Sequence, residues 1–374
     1  MSRLLTLCLL TLFAIAPVAG TQAPARNVIL FLADAAGIPT LNAASIHGHG
    51  ANRRLFVQRM PHIGLSDTAT ASQIVTDSAA GMTAIVTGQR THNGVIGQGP
   101  DAVRGVKDGT PLTTILELAE ERGLATGIIS NDALTGATPA SLYAKVNDRA
   151  KTAEIFRQAL TSRAGDGIDV MIGSGRPAVV AALKTESTSI EQLEQAHGRP
   201  VLASLDAVPA GAHRAIVLLE SRDFDLAAAV RRARQMLSAN PRGYFLMVEA
   251  DAHTDSIRRG LERMLELDRA IEETAGAAGT DTLVLFTGDH SFDLRVHGGV
   301  WGKPLLTGTA AETGGGMESV SLPNVRMNND HTAEEVLVAA QGPGSDRVRG
   351  YMANTDLFQV MLDAFGWRLT ATRP

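Results

Sequence analysis

Residues 27–33 read NVILFLA, a short run in which every residue after Asn27 is apolar. The run lacks the apolar–polar alternation of a strand with one solvated face, so it predicts a β-strand buried on both faces. Strands of this kind belong mainly to parallel sheets that helices cover on both sides. The stretch therefore predicts an α/β protein in which strands and helices alternate along the chain.

The rest of the sequence alternates in this way. Apolar runs predict further strands at 125–130, 168–173, 214–219, 243–250, 281–288 and 334–340. Amphipathic stretches predict helices at 110–123, 224–239, 256–275 and 355–366, the first with Thr110 as its N-cap and Gly123 as its stop. No repeat or composition break divides the chain. We therefore expect a single large α/β domain with a mostly parallel central sheet and helices on both faces.

Composition limits the classes of function. The 374 residues are 44% hydrophobic, which is ample for a large core, and the formal net charge is -5. This charge argues against nucleic-acid binding, which needs a basic surface. The single cysteine, Cys8, lies in the apolar start of the chain. A metal site in the mature protein would therefore use Asp, Glu, His or hydroxyl ligands.

The first twenty residues have the pattern of a secretory signal peptide. Arg3 precedes an apolar run at 4–16, and small residues follow it. We expect a signal peptide over 1–25, cut between about 20 and 25, and a catalytic domain over 26–374. The run is short for a membrane span, so the mature protein is expected to be secreted or periplasmic, without a membrane anchor.

Acidic and imidazole side chains follow three of the predicted strands. A lone Asp after a strand is most often a turn or cap residue. Three such groups are harder to explain in that way, because the carboxyl ends of parallel strands meet at one edge of the sheet, where ligands bind. Carboxylate and imidazole together suit zinc or another divalent ion. The residues concerned are Asp34, then Glu249, Asp251, His253 and Asp255, then Asp289 and His290.

The stretch VTDSAAG at 75–81 permits two interpretations. Thr and Asp are good N-cap residues and Ala is a strong helix former, so the stretch could simply begin a helix that runs to Gly88. Alternatively, the hydroxyl of Ser78 lies at a helix N-terminus, where free N–H groups attract an anion and small neighbours let a substrate approach. The stretch by itself favours the first interpretation.

Six segments together resemble the alkaline phosphatases. They are NVILFLADAAG, TDSAAGMTA, ATPASLYAKVNDR, MVEADAHTD, FTGDHS and NDHTAEEV, and their order and intervals are similar to those of that family. The resemblance extends from Asn27 to about Trp367, nearly the whole mature chain. It implies an alkaline-phosphatase-like fold and favours the chemical interpretation of VTDSAAG.

The resemblance also implies roles for individual residues. Ser78 matches the nucleophile that becomes a phosphoserine, and Arg149 matches the arginine that clamps the phosphate. Asp34, Asp289 and His290 match the ligands of the zinc that activates the serine, so Ser78 is itself expected at that metal. A serine hydroxyl ionises too weakly to attack unaided, which is why the chemistry needs a metal.

A magnesium site is the less certain part of the resemblance. Asp34, Thr138 and Glu249 match its protein ligands. The family usually carries Asp or His two residues before this threonine, but Gly136 occupies that position here. We therefore expect a magnesium site that is weak, differently filled or absent.

The second zinc site departs from the family pattern. His331 matches one ligand, but the stretch that supplies the others is compressed, with Asp251 two residues after Glu249 and His253 two residues further on. We expect Asp251 and His253 as ligands. Asp255 remains an alternative to His253, because it keeps the family's four-residue offset from Asp251.

These features predict an exported phosphomonoesterase that uses two zinc ions, with magnesium as an optional third metal, and releases inorganic phosphate. The alternatives are a phosphodiesterase or phosphotransferase of the same superfamily, or a non-catalytic periplasmic phosphate-binding protein. The last would have little use for so many carboxylates, which repel phosphate unless metals neutralise them. The sequence leaves the oligomeric state open, a homodimer included.

Overall fold

A computed structural model describes residues 23–308 and 319–368. The predicted signal peptide lies almost entirely outside the described residues and stays a prediction. Within the described residues, no helix has both the length and the apolar character needed to cross a bilayer. The strands are β1 Asn27–Asp34, β2 His62–Ser66, β3 Ala125–Ala133, β4 Val170–Ser174, β5 Val201–Leu202, β6 Ala215–Leu218, β7 Tyr244–Asp251, β8 Thr282–Thr287, β9 Ser291–Val296, β10 Ser319–Ser321, β11 Val325–Thr332, β12 Val336–Gln341 and β13 Gly350–Met352. The helices are α1 Ile38–His49, α2 Ser78–Thr87, α3 Ile115–Glu121, α4 Ala137–Ala140, α5 Thr152–Leu160, α6 Arg176–Thr185, α7 Ile190–His197, α8 Leu226–Leu237, α9 Ile257–Ala277 and α10 Asp356–Phe365.

Ten strands form the main sheet, in the order β13-β2-β12-β8-β1-β7-β3-β4-β6-β5. Every neighbouring pair is parallel except the two made by β12, which runs antiparallel to β2 and β8. All seven strands predicted from apolar runs belong to this sheet. The prediction of a mostly parallel α/β domain is confirmed.

Helices cover both faces of the sheet, and β1 lies between them. Along β1, Val28, Leu30 and Leu32 belong to one apolar cluster, together with residues of α2, α3 and α10. The alternate residues Ile29 and Phe31 belong to a second cluster, together with residues of α1, α8 and α9. Successive side chains of a strand point to opposite faces, so an unbroken apolar run is what a strand in this position requires.

A smaller antiparallel sheet, in the order β10-β11-β9, follows directly after the end of β8. The sequence did not predict it, because its strands mostly carry polar or charged residues. In this sheet His331 of β11 pairs with Phe292 of β9. The pairing brings His331 next to the residues that follow β8.

The helix predicted at 110–123 is shorter than expected. It begins after Thr114, whose hydroxyl accepts a hydrogen bond from the backbone N–H of Glu117 while the Glu117 side chain accepts one from the backbone N–H of Thr114. This reciprocal capping box fixes the start of the helix. The expectation that Thr110 is the N-cap is wrong, since Thr110 instead donates to the exposed Asp101.

Candidate active site

Helix α2 begins at Ser78 and ends before Gly88, whose φ of 71° places it in the left-handed region. The N-cap is Asp77, which accepts a hydrogen bond from the backbone N–H of Ala80 at 3.0 Å. Asp77 therefore caps the helix, and the hydroxyl of Ser78 is not used for capping. Ser78 is buried, as are the small residues that follow it.

The hydroxyl of Ser78 faces side chains from two other elements. Its Oγ lies 3.5 Å from each carboxylate oxygen of Asp34 and 3.3 Å from Nε2 of His290. Asp34 is the last residue of β1, and His290 follows β8. These strands are neighbours in the sheet, which explains why their carboxyl ends meet at the N-terminus of α2.

The backbone immediately after Asp34 is strained. Ala35 has a φ of 64°, a conformation that a residue with a Cβ rarely adopts. Its N–H donates to Oδ1 of Asp289 at 3.2 Å, and the N–H of His290 donates to the same oxygen at 3.0 Å. These two bonds fix the Asp289 carboxylate beside Asp34, and strain of this kind is typical of functional sites.

Two buried carboxylate oxygens at the site, Oε1 of Glu249 and Oδ2 of Asp289, have no hydrogen-bond partner among the residues that the structure describes. Burial, with the charge of Asp34 in addition, raises the pKa of both groups well above the usual range. Buried polar atoms are nearly always paired in native proteins, and clustered buried carboxylates repel one another. The orphaned oxygens therefore fit a site that binds cations.

Three histidines gather beside these carboxylates. The rings of His290 and His331 stack with centroids 3.9 Å apart, and the ring of His253 lies 5.7 Å from the first and 5.9 Å from the second. Nδ1 of His290 lies 3.2 Å from the carbonyl of Ser291, and Nδ1 of His331 lies 2.9 Å from the carbonyl of Thr76. Each Nδ1–H is thereby positioned to donate to a carbonyl, which leaves Nε2 as the unprotonated nitrogen that a metal needs.

Burial is the main cause of the low pKa of two of these histidines. It lowers the pKa of His290 to about 4, and it lowers that of His331 with a further contribution from the charge of His290. For His253, burial is outweighed by the charges of Asp34 and Asp251, which raise its pKa to about 10. His290 and His331 are therefore neutral near pH 7, as metal ligands must be, whereas His253 carries a proton that a metal would displace.

The ligand atoms form two groups, each within 4.8 Å. One group is Asp34, Asp289 and His290, and the other is His253, His290 and His331. The donor set contains no sulfur and combines carboxylate with imidazole, which suits zinc or a similar divalent ion. This arrangement fits two adjacent metal sites, with His290 common to the two groups.

Arg149 lies beside the N-terminus of α2. Its Nη1 donates to Oδ2 of Asp77 at 3.1 Å, so the residue that caps α2 also orients the arginine beside Ser78. The arginine side chain is about one-third exposed and lines the same cleft as the serine. Its guanidinium still has donors available to a bound anion.

A family model described as "Alkaline phosphatase" matches residues 25–204 and 208–311. The chain belongs to the alkaline phosphatase family. The resemblance noted from the six sequence segments is thereby confirmed.

Relatives of known name agree with this assignment. The chain is 30% identical to streptomycin-6-phosphate phosphatase of Streptomyces griseus, and the match covers 92% of each chain. It is 27% identical to human tissue-nonspecific alkaline phosphatase over 87% of this chain and 81% of that one. Among solved structures, Thermus thermophilus alkaline phosphatase is similar with a TM-score of 0.75, 21% identity and coverage of 95% and 96%. The alkaline phosphatase of the Antarctic bacterium TAB5 has a TM-score of 0.72, 22% identity and coverage of 92% and 99%.

Thr138 lies beside Asp34. It belongs to α4, is buried, and its Oγ1 lies 3.4 Å from Oδ2 of Asp34. A Cβ at Gly136 would lie only 2.8 Å from the carbonyl oxygen of Ala133, so a larger residue would not fit there without a backbone shift. The same Cβ would lie 3.3 Å from Oδ2 of Asp132. A carboxylate is therefore present next to the position where the family usually carries Asp or His, but it comes from the end of β3.

The compressed stretch contains a turn directly after Asp251. The backbone N–H of His253 donates to Oδ1 of Asp251 at 3.1 Å, an Asx-turn, and a short 3-10 helix over Thr254–Ser256 leads into α9. The structure brings His253 to His290 and His331. The carboxylate of Asp255 instead accepts from the N–H of Ser256 at 2.8 Å, and Asp255 belongs to neither ligand group.

The cleft above Ser78 has a volume of about 390 Å³ and contains residues that the sequence did not predict. Its lining consists of Asp34, Ser78, Asp132, Arg149, Arg222, Asp251, His253, Asp255, Ser256, Arg259, Arg263 and His331. Asp132 could have been found by the rule that found Asp34, because it follows a predicted strand. Arg259 and Arg263 are four apart on a predicted helix and so share a face. Nothing in the sequence pattern indicated that this face points to the site.

Proposed function

We propose that this protein is a metal-dependent phosphomonoesterase that hydrolyses phosphate esters through a phosphoserine at Ser78. The observation that carries the proposal is the position of the Ser78 hydroxyl, which lies at a helix N-terminus and within 3.5 Å of Asp34 and His290. Membership of the alkaline phosphatase family supports the same reaction.

The metal ligands follow from the two groups of donor atoms. We assign Asp34, Asp289 and His290, with Ser78, to one zinc, and His253 and His331 to the other. Glu249, Thr138 and Asp34 would hold magnesium. The Oε1 of Glu249, which has no hydrogen-bond partner among the described residues, is available as a ligand atom. When bound, these ions would stabilise the serine alkoxide, the phosphoryl charge and the leaving oxygen.

The chain's own residues supply the covalent chemistry. The oxygen of Ser78 attacks phosphorus and loses its proton, a new P–O bond forms, and the ester P–O bond breaks to release the alcohol, which gains a proton. Water then attacks the phosphoserine, and cleavage of its P–O bond regenerates the Ser78 hydroxyl and releases inorganic phosphate. Each half-reaction displaces one oxygen at phosphorus, so the sum is hydrolysis of the ester.

Arg149 and the start of α2 bind the phosphoryl oxygens. The guanidinium offers paired N–H donors in a planar fork that matches two phosphoryl oxygens. The helix N-terminus supplies further N–H groups and a partial positive charge. Asp77 keeps the arginine in place through its 3.1 Å ion pair, so the clamp is oriented before the substrate arrives.

Hydrolysis of an aryl phosphate by the zinc-loaded protein tests this proposal. We expect equal release of aryl alcohol and inorganic phosphate, loss of activity on chelation, restoration by Zn²⁺, and no restoration by Mg²⁺ alone. An excess of aryl alcohol over phosphate in the presence of an alcohol acceptor would indicate a phosphotransferase. Faster turnover of a diaryl phosphate would indicate a phosphodiesterase, and tight phosphate binding without turnover of either ester would indicate a binding protein.

We also propose that the protein is exported. The support is the charged, apolar and small-residue pattern of residues 1–25. N-terminal sequencing of the mature protein should find a first residue between about 21 and 26, as the predicted cut requires. An intact Met1 on protein recovered from the periplasm or the medium would contradict cleavage.

A further inference from the structure

The carboxylate of Asp251, at the end of β7, is fully occupied by hydrogen bonds. Its Oδ1 accepts from the backbone N–H of His253 at 3.1 Å and lies 2.8 Å from Nδ1 of the same residue. Its Oδ2 accepts from Arg222 at 2.7 Å and from Arg263 at 2.9 Å. An ionised carboxylate has about four acceptor positions, so these four contacts leave none for a metal.

The two arginines could not easily give up this carboxylate. Arg263 projects from α9, its side chain is only 11% exposed, and its Nε has no partner. Arg222, from the segment after β6, also pairs with Asp132, but Asp251 is its more buried partner. Removing one partner of a buried ion pair leaves an uncompensated charge, which is strongly unfavourable. If Asp251 turned towards a metal, Arg263 would be left as such an uncompensated buried charge.

The contact to Asp251 determines which nitrogen His253 presents to the site. Nδ1 lies 2.8 Å from the Asp251 carboxylate and 3.7 Å from that of Asp34. The closer contact occupies Nδ1 and leaves Nε2 as the nitrogen for a metal. The ring lies 5.7 Å from the ring of His290 and 5.9 Å from the ring of His331. A carboxylate that accepts from one nitrogen of a histidine while the other nitrogen binds zinc is a common arrangement, and it orients the ring.

We propose that Asp251 is a positioning residue and not a zinc ligand: it orients His253, and Arg222 and Arg263 hold it in place for that purpose. The proposal rests on the proposed metal-dependent function, because it concerns the second zinc site. The two-residue spacing between Asp251 and His253 accounts for this arrangement. The Asp251 carboxylate accepts from the backbone N–H of His253 and so closes an Asx-turn, which directs the carboxylate towards His253. The imidazoles of His253 and His331 are then the protein ligands of the second zinc from this part of the cleft.

Zinc content and affinity of single variants test the assignment. Asp251→Asn keeps the shape of the side chain but removes its charge, and Asp255→Asn is the matched control because that carboxylate touches neither His253 nor the two arginines. At saturating zinc we expect Asp251→Asn to bind as many zinc ions per chain as the wild type. Its affinity for one of them should fall by about 10–100-fold, as is typical for a residue that orients a ligand. We expect His253→Ala and His331→Ala each to lose one zinc per chain and Asp255→Asn to match the wild type.

A second measurement needs no variant and covers the case in which Asp251→Asn fails to fold. In a crystal structure of the zinc-loaded wild type, the anomalous zinc peaks should include one at roughly 2.0–2.1 Å from Nε2 of His253 and none within bonding distance of Asp251. A zinc–oxygen distance of about 2.0–2.2 Å to Asp251, or loss of one zinc in Asp251→Asn, would overturn the proposal. Either result in a wild type that hydrolyses aryl phosphates would leave the proposed function intact, whereas a wild type without zinc or turnover would refute the function itself.

Discussion

Ser78 and Asp34 are 44 residues apart in the chain, yet the hydroxyl of one lies 3.5 Å from both carboxylate oxygens of the other. Asp34 ends a strand in which every residue after Asn27 is buried, and Ser78 begins a helix whose residues are all buried. Two rigid elements therefore set the distance between nucleophile and metal ligand. A geometry supported in this way is already organised before substrate binds.

Replacing Ser78 by Ala should remove catalysis without removing the metals. We expect turnover of an aryl phosphate to fall by at least about 10³-fold, because the variant lacks the hydroxyl that forms the phosphoserine. Zinc content, measured by atomic absorption, should stay close to that of the wild type, since carboxylates and imidazoles hold the ions. Ser72→Ala, an exposed hydroxyl that contacts His92, is the control and should leave activity unchanged. Activity of Ser78→Ala within about tenfold of the wild type would contradict the assignment.

Arg149→Ala should weaken the phosphate clamp. Loss of charge-assisted hydrogen bonds of roughly 1.5–3 kcal/mol predicts a fall in kcat/KM of about 10–100-fold. Arg149→Lys should recover only part of this, because an ammonium keeps the charge but lacks the planar fork. The control is Arg104→Ala, since Arg104 is half exposed and pairs with Asp148. A kcat/KM of Arg149→Ala that stays at the wild-type value, as is expected for Arg104→Ala, would contradict the clamp.

Gly81 allows α2 to pack against Asp289. A Cβ at this position would lie 2.8 Å from the carbonyl oxygen of Asp289 and 3.4 Å from its Cβ. We expect Gly81→Ala to lower the unfolding free energy by about 1–3 kcal/mol and to weaken zinc binding, because Asp289 must move. Gly276→Ala is the matched control, since among the described residues nothing beyond its chain neighbours and the nearby backbone of α9 lies within 4 Å of its Cβ position. That variant should gain up to about 1 kcal/mol from helix propensity. Equal stability and zinc affinity of the two variants would argue against the close contact.

Glu120, which lies outside the cleft, makes the stability of the fold depend on pH. Burial, with the charges of Asp169 and Asp166 in addition, raises the pKa of Glu120 to about 7 from an ordinary 4.5, although Thr126 donates a hydrogen bond to it. The folded state therefore keeps a proton that the unfolded state releases near pH 4.5. The stabilising contribution is complete below pH 4.5 and is lost as the pH rises to about 7.

Glu120→Gln should remove this loss. The amide copies the neutral acid, with its carbonyl able to accept from the N–H of Gly167, which lies 3.1 Å from the carboxylate. Between pH 5 and 8 the unfolding free energy of the wild type should fall by up to about 3 kcal/mol relative to the variant, at 1.36 kcal/mol per pKa unit. Urea unfolding at the two pH values measures the difference. The control is Glu121→Gln, at the neighbouring exposed position, and its pH dependence of unfolding should not differ from that of the wild type. If the wild type and Glu120→Gln had the same pH dependence, the prediction would be wrong.

The sequence was sufficient to predict the main sheet and to place most of the candidate site residues at one edge of it, for identifiable reasons. Strands buried on both faces are unbroken apolar runs, as in β1, and their carboxyl ends carry Asp34, Asp251, Asp289 and His290. The antiparallel sheet could not be predicted, because β9 and β11 are partly exposed and lack the unbroken apolar runs that marked the buried strands. The arginines around Asp251 could not be predicted either. Arg222 and Arg263 come from separate segments, and only the tertiary fold makes them partners of one carboxylate.

Capture of the phosphoenzyme tests the central claim most directly. The zinc-loaded protein is mixed with an aryl phosphate, quenched in acid within one turnover, digested, and its peptides are analysed by mass spectrometry. We predict a gain of one phosphoryl group, about 80 Da, on the peptide that contains Ser78, and on Ser78 itself when the peptide is fragmented. The Ser78→Ala variant should carry no label. A phosphoryl group on another residue, or rapid hydrolysis with no covalent label on Ser78, would contradict the account.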